Sequence, residues 1–363
     1  MRKTVQTFRD WYARHERLAR ALAFAFGFLF DTLTLTRVDL LYTNLILTAY
    51  LVAAAGGIII LFAEPSRILK IAGVRFREWF ELGILFSFGN LMSGYVVLYV
   101  KSGSLVDSWP FLAVLAALFI GNELFRKYYQ FLVFQLSMLF VAIFSYLIFS
   151  LPVLFKQIGV GIFLLSGAVS LVLFAGIVLI LWRIKPGRMR IAYRHTVAAI
   201  GTIFILFNVA YFTNTIPPIP LALRDIGVYH QVLPGAGETY RLTFEPAPWY
   251  LRLFGRTNST FHWQAGEPVF AYSAIFAPTK LTTNIFHEWL YFDEIKNEWV
   301  PKARISFPIV GGRDGGYRGY SLKENAIPGR WRVEVRTDRG ALIGRMSFTV
   351  IAGIPETLIA RID

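Results

Sequence analysis

The chain has 363 residues, 55% of them hydrophobic and 17% charged, a balance too apolar for an ordinary water-soluble protein. Its formal net charge of +14 is unevenly spread: residues 1–213 hold 20 Lys and Arg against 9 Asp and Glu, whereas residues 214–363 hold 17 against 14. The basic excess therefore accompanies the apolar runs, where orientation in a bilayer accounts for it without a nucleic-acid partner, and the absence of cysteine excludes disulfides, thiol nucleophiles and thiolate-bound metals.

A membrane-crossing helix needs about 20 mostly apolar residues. Seven runs qualify: 20–36, 40–62, 80–100, 109–122, 130–151, 158–182 and 196–213. The first and fourth are short. The first would also serve as an uncleaved signal anchor, because Asp31, Thr32, Thr34 and Thr36 interrupt a signal-peptide pattern and no small-residue cleavage site follows. Lys and Arg alternate between the intervening segments, with 17 on one side and 3 on the other. The positive-inside rule then puts the N-terminus in the cytoplasm, and seven crossings put residues 214–363 outside.

The stretch FGFLFDTLTLTRVDLLY (26–42) places Asp31, Arg37 and Asp39 at the outward turn between the first two runs. Asp31 sits roughly 8 Å deeper than that turn at 1.5 Å per helical residue. It is either an interfacial acid reaching water or Arg37, or part of a polar cavity at the outer side. Glu81, Asn90, Glu123 and Asn208 also lie in or beside the runs, but Glu81 and Glu123 fall near inner ends, which argues against a proton path through the membrane. Gly89 and Ser93 are four apart, a spacing that suits close helix packing.

Beyond the last run, TNTIPPIPL (213–221) breaks the helix and starts a linker over 214–224. Strand patterns follow at 227–232, 239–245, 259–264, 268–277, 283–292, 299–310, 317–323, 330–337 and 341–350. Trp331, Val333 and Val335 alternate with Arg332, Glu334 and Arg336. RTDRGAL (336–342) reads as a hairpin turn, and APWYLRLFG (247–255) as a short amphipathic segment for the membrane surface. The expected fold class is an α-helical membrane bundle of about seven spans over 1–213, followed over 225–363 by an all-β antiparallel sandwich.

Within 285–350, a His-x-Trp strand (His287, Trp289) precedes an Arg-x-x-Ser-x-Lys segment (Arg318, Ser321, Lys323). A Gly-x-Trp-Arg-Val strand (Gly329, Trp331, Arg332, Val333) and a closing Gly-x-x-x-Phe-x-Val strand (Gly344, Phe348, Val350) complete the pattern. This region resembles the bacterial domain-of-unknown-function family 2914, with some seventy residues carrying the likeness. The resemblance implies a multi-pass protein of the bacterial cytoplasmic (inner) membrane with an extracytoplasmic β-domain. It implies no activity and no catalytic residues.

The chemistry legible in the rest is sparse. Five histidines occur, without HExxH or close His spacing, so no metal site is expected. Strand alternation puts His287 and Trp289 on one face and Glu288 on the other. IVGGRDGGYRGYS (309–321) lacks the phosphate-loop pattern, and neither GxGxxG before a helix nor a GxSxG elbow is present, so no cofactor is expected. Trp289, Trp299 and Trp331 suit either a core or a sugar platform. Arg313, Arg318 and Lys323, with the Ser321 hydroxyl, suit an anion, although Arg318 and Lys323 fall on opposite faces unless a bulge redirects one. The expected function is a membrane-anchored module binding an envelope protein or an anionic envelope polymer, with the lipid bilayer as its other partner. The alternatives are a transporter or channel capped by the β-domain, and a polytopic envelope enzyme.

Overall fold

The computed structural model describes residues 29, 31–35, 40–63, 75–102, 105–124, 131–218, 220–235, 239–246, 258–278, 281–311 and 316–363. Arg37, Asp39, Arg313, the segment 247–255 and most of the first expected span lie outside the described residues. Six long helices are described: α1 (Leu41–Ala63), α2 (Arg75–Ser102), α3 (Leu105–Leu124), α4 (Leu132–Phe155), α5 (Val160–Ile184) and α6 (Pro186–Phe212). Five hold a stretch long and apolar enough to cross a membrane, namely Leu41–Ala63, Phe80–Val100, Leu132–Phe155, Val160–Ile184 and Pro186–Phe212. In α3 the apolar stretch is shorter, Trp109–Ile120. Helix α6 starts ten residues before the expected run at 196, because Arg188, Met189 and Arg190 are good helix formers although they are not all apolar. Between α4 and α5, Lys156 and Gly159 take positive φ (57° and 128°), the left-handed conformation that closes a helix and reverses the chain.

The chain divides into two compact units. The first comprises residues 1–98, 113–146 and 170–203. Its helices meet through small residues: a Cβ on Gly57 would strike Ile84, and one on Gly94 would press on Leu35 and Leu47. Phe88, Leu91, Tyr95, Leu139 and Phe140 are fully buried there. The Tyr95 hydroxyl donates to the Ala142 carbonyl at 2.8 Å.

The second unit comprises residues 99–112, 147–169 and 204–363, so it joins several helix ends to every strand. Eleven strands are described: β1 (Ala222–Tyr229), β2 (Gln231–Pro234), β3 (Tyr240–Phe244), β4 (Thr260–Trp263), β5 (Val269–Phe276), β6 (Thr282–Asp293), β7 (Glu298–Val310), β8 (Tyr317–Lys323), β9 (Gly329–Thr337), β10 (Leu342–Ala352) and β11 (Ile359–Ile362). They form a five-stranded sheet β4-β10-β9-β6-β7, a central sheet β1-β5-β8 and a third sheet β11-β3-β2. Pairing is antiparallel except between β10 and β4, which run parallel. The region is therefore β-rich with antiparallel and mixed sheets.

Core contacts arrange these sheets as layers. Val269 and Ala271 of the central sheet pack with Trp289, Trp331, Val333 and Phe348 of the five-stranded sheet. A second cluster continues that interface through Ile275, Ile285, Ile309 and Val335, with Ile158 from the α4–α5 turn against it. On the opposite face of the central sheet, Tyr272 and Ala274 pack with Val232 and Leu242 of the third sheet. The run expected as one strand at 227–232 bends at His230, so that β1 stays in the central layer and β2 joins the third. Strand β11, absent from the expected strands, pairs with β3. The RTDRGAL turn forms as expected: the Thr337 amide donates to the Ala341 carbonyl at 3.0 Å, and Gly340 takes a φ of 80°.

The core makes a direct stability prediction. Trp331 is 2% exposed and donates its indole N–H to the Ile327 carbonyl at 2.8 Å. Trp331→Ala is expected to destabilise the β-rich region by about 3–5 kcal/mol, the usual cost of emptying a buried tryptophan site. Denaturant unfolding of the purified full chain measures it; a loss below about 1 kcal/mol would contradict this packing.

Candidate functional site

Alternation along β6 sends His287 and Trp289 inward toward the central sheet, as expected, and Glu288 outward. His287 is fully buried. Its Nε2 lies 2.8 Å from Ser273 Oγ on β5, and its Nδ1 lies 2.9 Å from Ser321 Oγ on β8. The Trp289 indole N–H donates to the same Ser321 oxygen at 3.0 Å. A neutral imidazole donates from one nitrogen and accepts at the other, so one serine accepts and the other donates. Burial depresses the His287 pKa to about 3 and keeps the ring neutral. The cluster is complete in itself and spans two sheets.

The structure therefore brings His287, Trp289 and Ser321 together but does not bring Arg318 and Lys323 together. Strand β8 is regular against β5, with Arg318 opposite Ala274 and Lys323 opposite Val269, so the two cations point to opposite faces. The Lys323 ammonium donates to the Glu324 carbonyl at 2.8 Å. Arg318 faces the third sheet, where its Nε donates to Asp363 at 3.2 Å. Tyr272 donates its hydroxyl to the same Asp363 carboxylate. Burial opposes ionisation of Asp363, but the hydrogen bonds from Tyr272 and Arg318 outweigh it and hold the carboxyl below its usual range. Nearby, Arg361 donates to Asp225 and to the Tyr229 hydroxyl. Burial pushes the Tyr229 and Tyr272 hydroxyls well above the ordinary tyrosine range.

A further polar cluster has no signal in the linear spacing. Glu245, 8% exposed, accepts from His230 Nε2 at 3.0 Å, from the His262 backbone N–H at 2.7 Å and lies 2.7 Å from His262 Nδ1. Its two oxygens are thus shared among three nitrogen contacts. Among the described residues, no group of three or more His, Asp or Glu side chains is placed to hold a metal ion.

The outward face of the five-stranded sheet is a different surface. Arg304 lies over Phe286 at 4.0 Å, Arg332 over Trp299 at 3.9 Å and Arg330 over Phe292 at 3.7 Å. Arg336 contacts Glu334 at 2.5 Å and Glu288 at 3.1 Å, and Arg330 contacts Glu294 at 2.9 Å. No carboxylate among the described residues lies within ion-pairing distance of Arg304 or Arg345. Trp299 thus belongs to this outer face, whereas Trp289 and Trp331 belong to the core.

In the helical unit, Asp31 is buried and accepts a 2.5 Å hydrogen bond from Ser93 Oγ. Asn90 in this unit and Asn208 in the second each donate to a carbonyl of their own helix, that of Phe86 and of Phe204, at 2.8 Å. Glu81 is exposed.

Residues 282–350 match the model of a family described as protein of unknown function (DUF2914). That segment runs from β6 through most of β10 and so includes His287, Trp289 and Ser321 of the buried cluster, but not Ser273, and the three arginine–aromatic pairs. No curated protein matches the chain. A solved β-glucosidase from Listeria innocua, in complex with gluconolactone, is 14% identical over 26% of this chain and 15% of its own, with a TM-score of 0.19. The alkylpurine DNA glycosylase AlkC of Pseudomonas fluorescens, bound to DNA containing an abasic site analog, is 12% identical over 87% of this chain and 99% of its own, with a TM-score of 0.22. Scores this low carry no argument about fold or activity.

The buried imidazole fixes a pH dependence. Unfolded, His287 takes up a proton near its ordinary value of 6.5; folded, it stays neutral down to about 3. Between those values the unfolded state binds more protons, so stability falls as pH drops through the window. From about pH 6.5 to about pH 4 the loss is on the order of 3 kcal/mol. His287→Gln keeps a donor and an acceptor for the two serines but does not titrate. Thermal unfolding of the full chain across this pH range is expected to be flatter in the variant, and equal slopes would refute the assignment.

Proposed function

We propose that the chain is a multi-pass protein of a bacterial cytoplasmic membrane whose β-rich region lies outside and binds an anionic envelope component. Lipid contact is supported by the apolar side chains that the helices expose: Val172 is 70%, Leu179 64% and Ile205 62% exposed. The alternation of Lys and Arg along the chain supports an outward β-rich region and seven crossings. The observation that carries the binding reading is the arginine–aromatic face of the five-stranded sheet. Guanidinium groups held over aromatic rings are pre-ordered, so less side-chain entropy is lost when they meet a carboxylate, phosphate or sulfate. His287 on the inner face of that sheet and Ser273 and Ser321 of the central sheet are occupied with one another, which favours binding over hydrolysis as the role of this region.

Two measurements test this reading together. A reporter fused after Asp363 is expected to be active only outside the cytoplasm, and one fused beside Lys185 only inside. On immobilised heparin, a sulfated polyanion, the detergent-solubilised full chain is expected to elute at higher salt than Arg304→Glu/Arg345→Glu. The equal charge change Arg188→Glu/Arg190→Glu on α6 is expected to have a smaller effect. Equal shifts from both pairs would remove the sheet face as the binding surface, and a cytoplasmic C-terminus would remove the topology.

The buried Asp31–Ser93 pair favours a second reading, transport through the helical unit. On that reading Asp31→Asn abolishes function while insertion and abundance stay normal. Loss of the folded protein instead marks a packing role, and an unaltered phenotype removes the pair from any pathway.

A further inference from the structure

A small cavity of about 120 Å³ lies within the second unit, where the β9–β10 turn meets helix ends. Its apolar wall includes Ile148 and Pro152 of α4, Ile162 and Phe163 of α5, and Ile216 beyond α6. Its polar lining comprises Ser166 and Thr283 together with Thr337, Asp338 and Arg339 of the turn. The guanidinium of Arg339 sits 3.6 Å over the Tyr211 ring, which itself stacks on Phe163 at 3.6 Å and 2°. Arg339 Nη2 donates to Asn214 Oδ1 at 3.3 Å, and Asn214 Nδ2 donates back to the Arg339 carbonyl at 3.4 Å. These contacts fix the plane of the guanidinium without neutralising it.

Two features point to an anion-binding site. Arg339 is half-buried and has no ion-pair partner among the described residues; Asp338 beside it is exposed at the rim. An arginine keeps its charge in a protein, and a partly desolvated charge without a counterion is costly. Independently, Thr337 lines the same cavity, is 5% exposed, and its hydroxyl has no hydrogen-bond partner among the described residues. A buried hydroxyl left unpaired is costly, because it keeps its desolvation penalty without a compensating bond. One anionic group with several oxygens would satisfy both at once.

Size and surroundings narrow the class. Pockets for drug-sized ligands run to about 300–1,000 Å³, so a cavity of 120 Å³ takes a single phosphate-sized group and little more. The Tyr211 ring meets that of Phe212 at 5.4 Å, and Phe212, Val209 and Ile205, spaced to share one face of α6, are exposed and form an apolar strip. An ester of phosphate with an acyl-bearing alcohol matches that pairing of a polar pocket and an apolar strip. We infer that the cavity seats the phosphate of an anionic phospholipid, held by Arg339 and Thr337, with its chains along α6. The inference rests on the membrane reading proposed above.

The test titrates short-chain phosphatidylglycerol into the full chain purified in uncharged detergent, with inorganic phosphate as a parallel probe. Saturable lipid binding is expected, weakened at least about tenfold by Arg339→Gln and about threefold by Thr337→Val, with Arg339→Lys between wild type and Arg339→Gln, because lysine keeps the charge but not the fork. Lipid affinity unchanged by these substitutions overturns the site. Inorganic phosphate binding as tightly as the lipid overturns the lipid as its source. If Arg339→Gln fails to fold, Arg339→Lys and Thr337→Val decide, and unchanged affinity in both overturns the proposal. A reporter after Asp363 separates the two readings: an external C-terminus without lipid binding sinks only this inference, and a cytoplasmic one sinks the reading beneath it.

Discussion

Strand β5 has no solvent face, and much of the β-rich region follows from that. Its residues alternate between two packed interfaces, one with the five-stranded sheet and one with the third sheet. Any polar side chain on β5 must therefore find a partner across a sheet interface. Ser273 finds His287, and Tyr272 finds Asp363. Each pairing recruits further groups: Ser321 and Trp289 on one side, Arg318 on the other. The residues whose types suggest catalysis or ligand binding are thus consumed in locking three layers into one register.

The arginines divide by the same logic. Arg318 and Arg361 face the interior and meet Asp363 and Asp225. Such half-buried pairs gain little net stability, since desolvation offsets much of the attraction, but breaking one leaves a partly desolvated charge without its partner and so favours this arrangement. Arg336 gathers Glu334 and Glu288 on the outer face and also donates to the Gly340 carbonyl at 2.5 Å, bracing the β9–β10 turn. Arg339, three residues on, has only an amide and a ring as partners of its guanidinium among the described residues. The contrast within one hairpin separates charges that complete the fold from one that the fold leaves unsatisfied.

How much of this was readable in the chain depends on whether the signal was local. Apolar runs located the helices, and period-two alternation located β6 to β10 within a few residues. Alternation also placed His287 with Trp289 and separated Arg318 from Lys323. The third layer was hidden. VFAYSAIF (269–276) is apolar throughout, the mark of a strand buried on both faces, and weighing that run would have argued against a two-layer sandwich. Strand β11 is only four residues long and carries too little pattern to stand out. Glu245 and its two histidines meet only through tertiary pairing, 15 and 17 residues apart, so spacing could not reveal them. The turn residue Arg339 read as hairpin chemistry, because nothing local records that helix ends lie under it.

The helices carry their own record of their solvent. Hydroxyl and amide side chains in them repeatedly turn back onto the carbonyl four residues earlier: Thr48 to Asn44, Ser87 to Gly83, Asn90 to Phe86, Ser137 to Val133, Asn208 to Phe204 and Thr213 to Val209. In water this bond gains little, because the side chain exchanges one good partner for another and the helix is slightly strained. In hydrocarbon no water competes, and a donor left free costs several kcal/mol. Back-bonding is then the least costly way to carry a polar side chain on an apolar helix. The same segments expose leucine, isoleucine and valine, whereas the outward sheet face exposes arginines and glutamates. Polar groups closed on their own helix in one region and open to solvent in the other suit a single chain that meets two solvents, as the membrane reading requires.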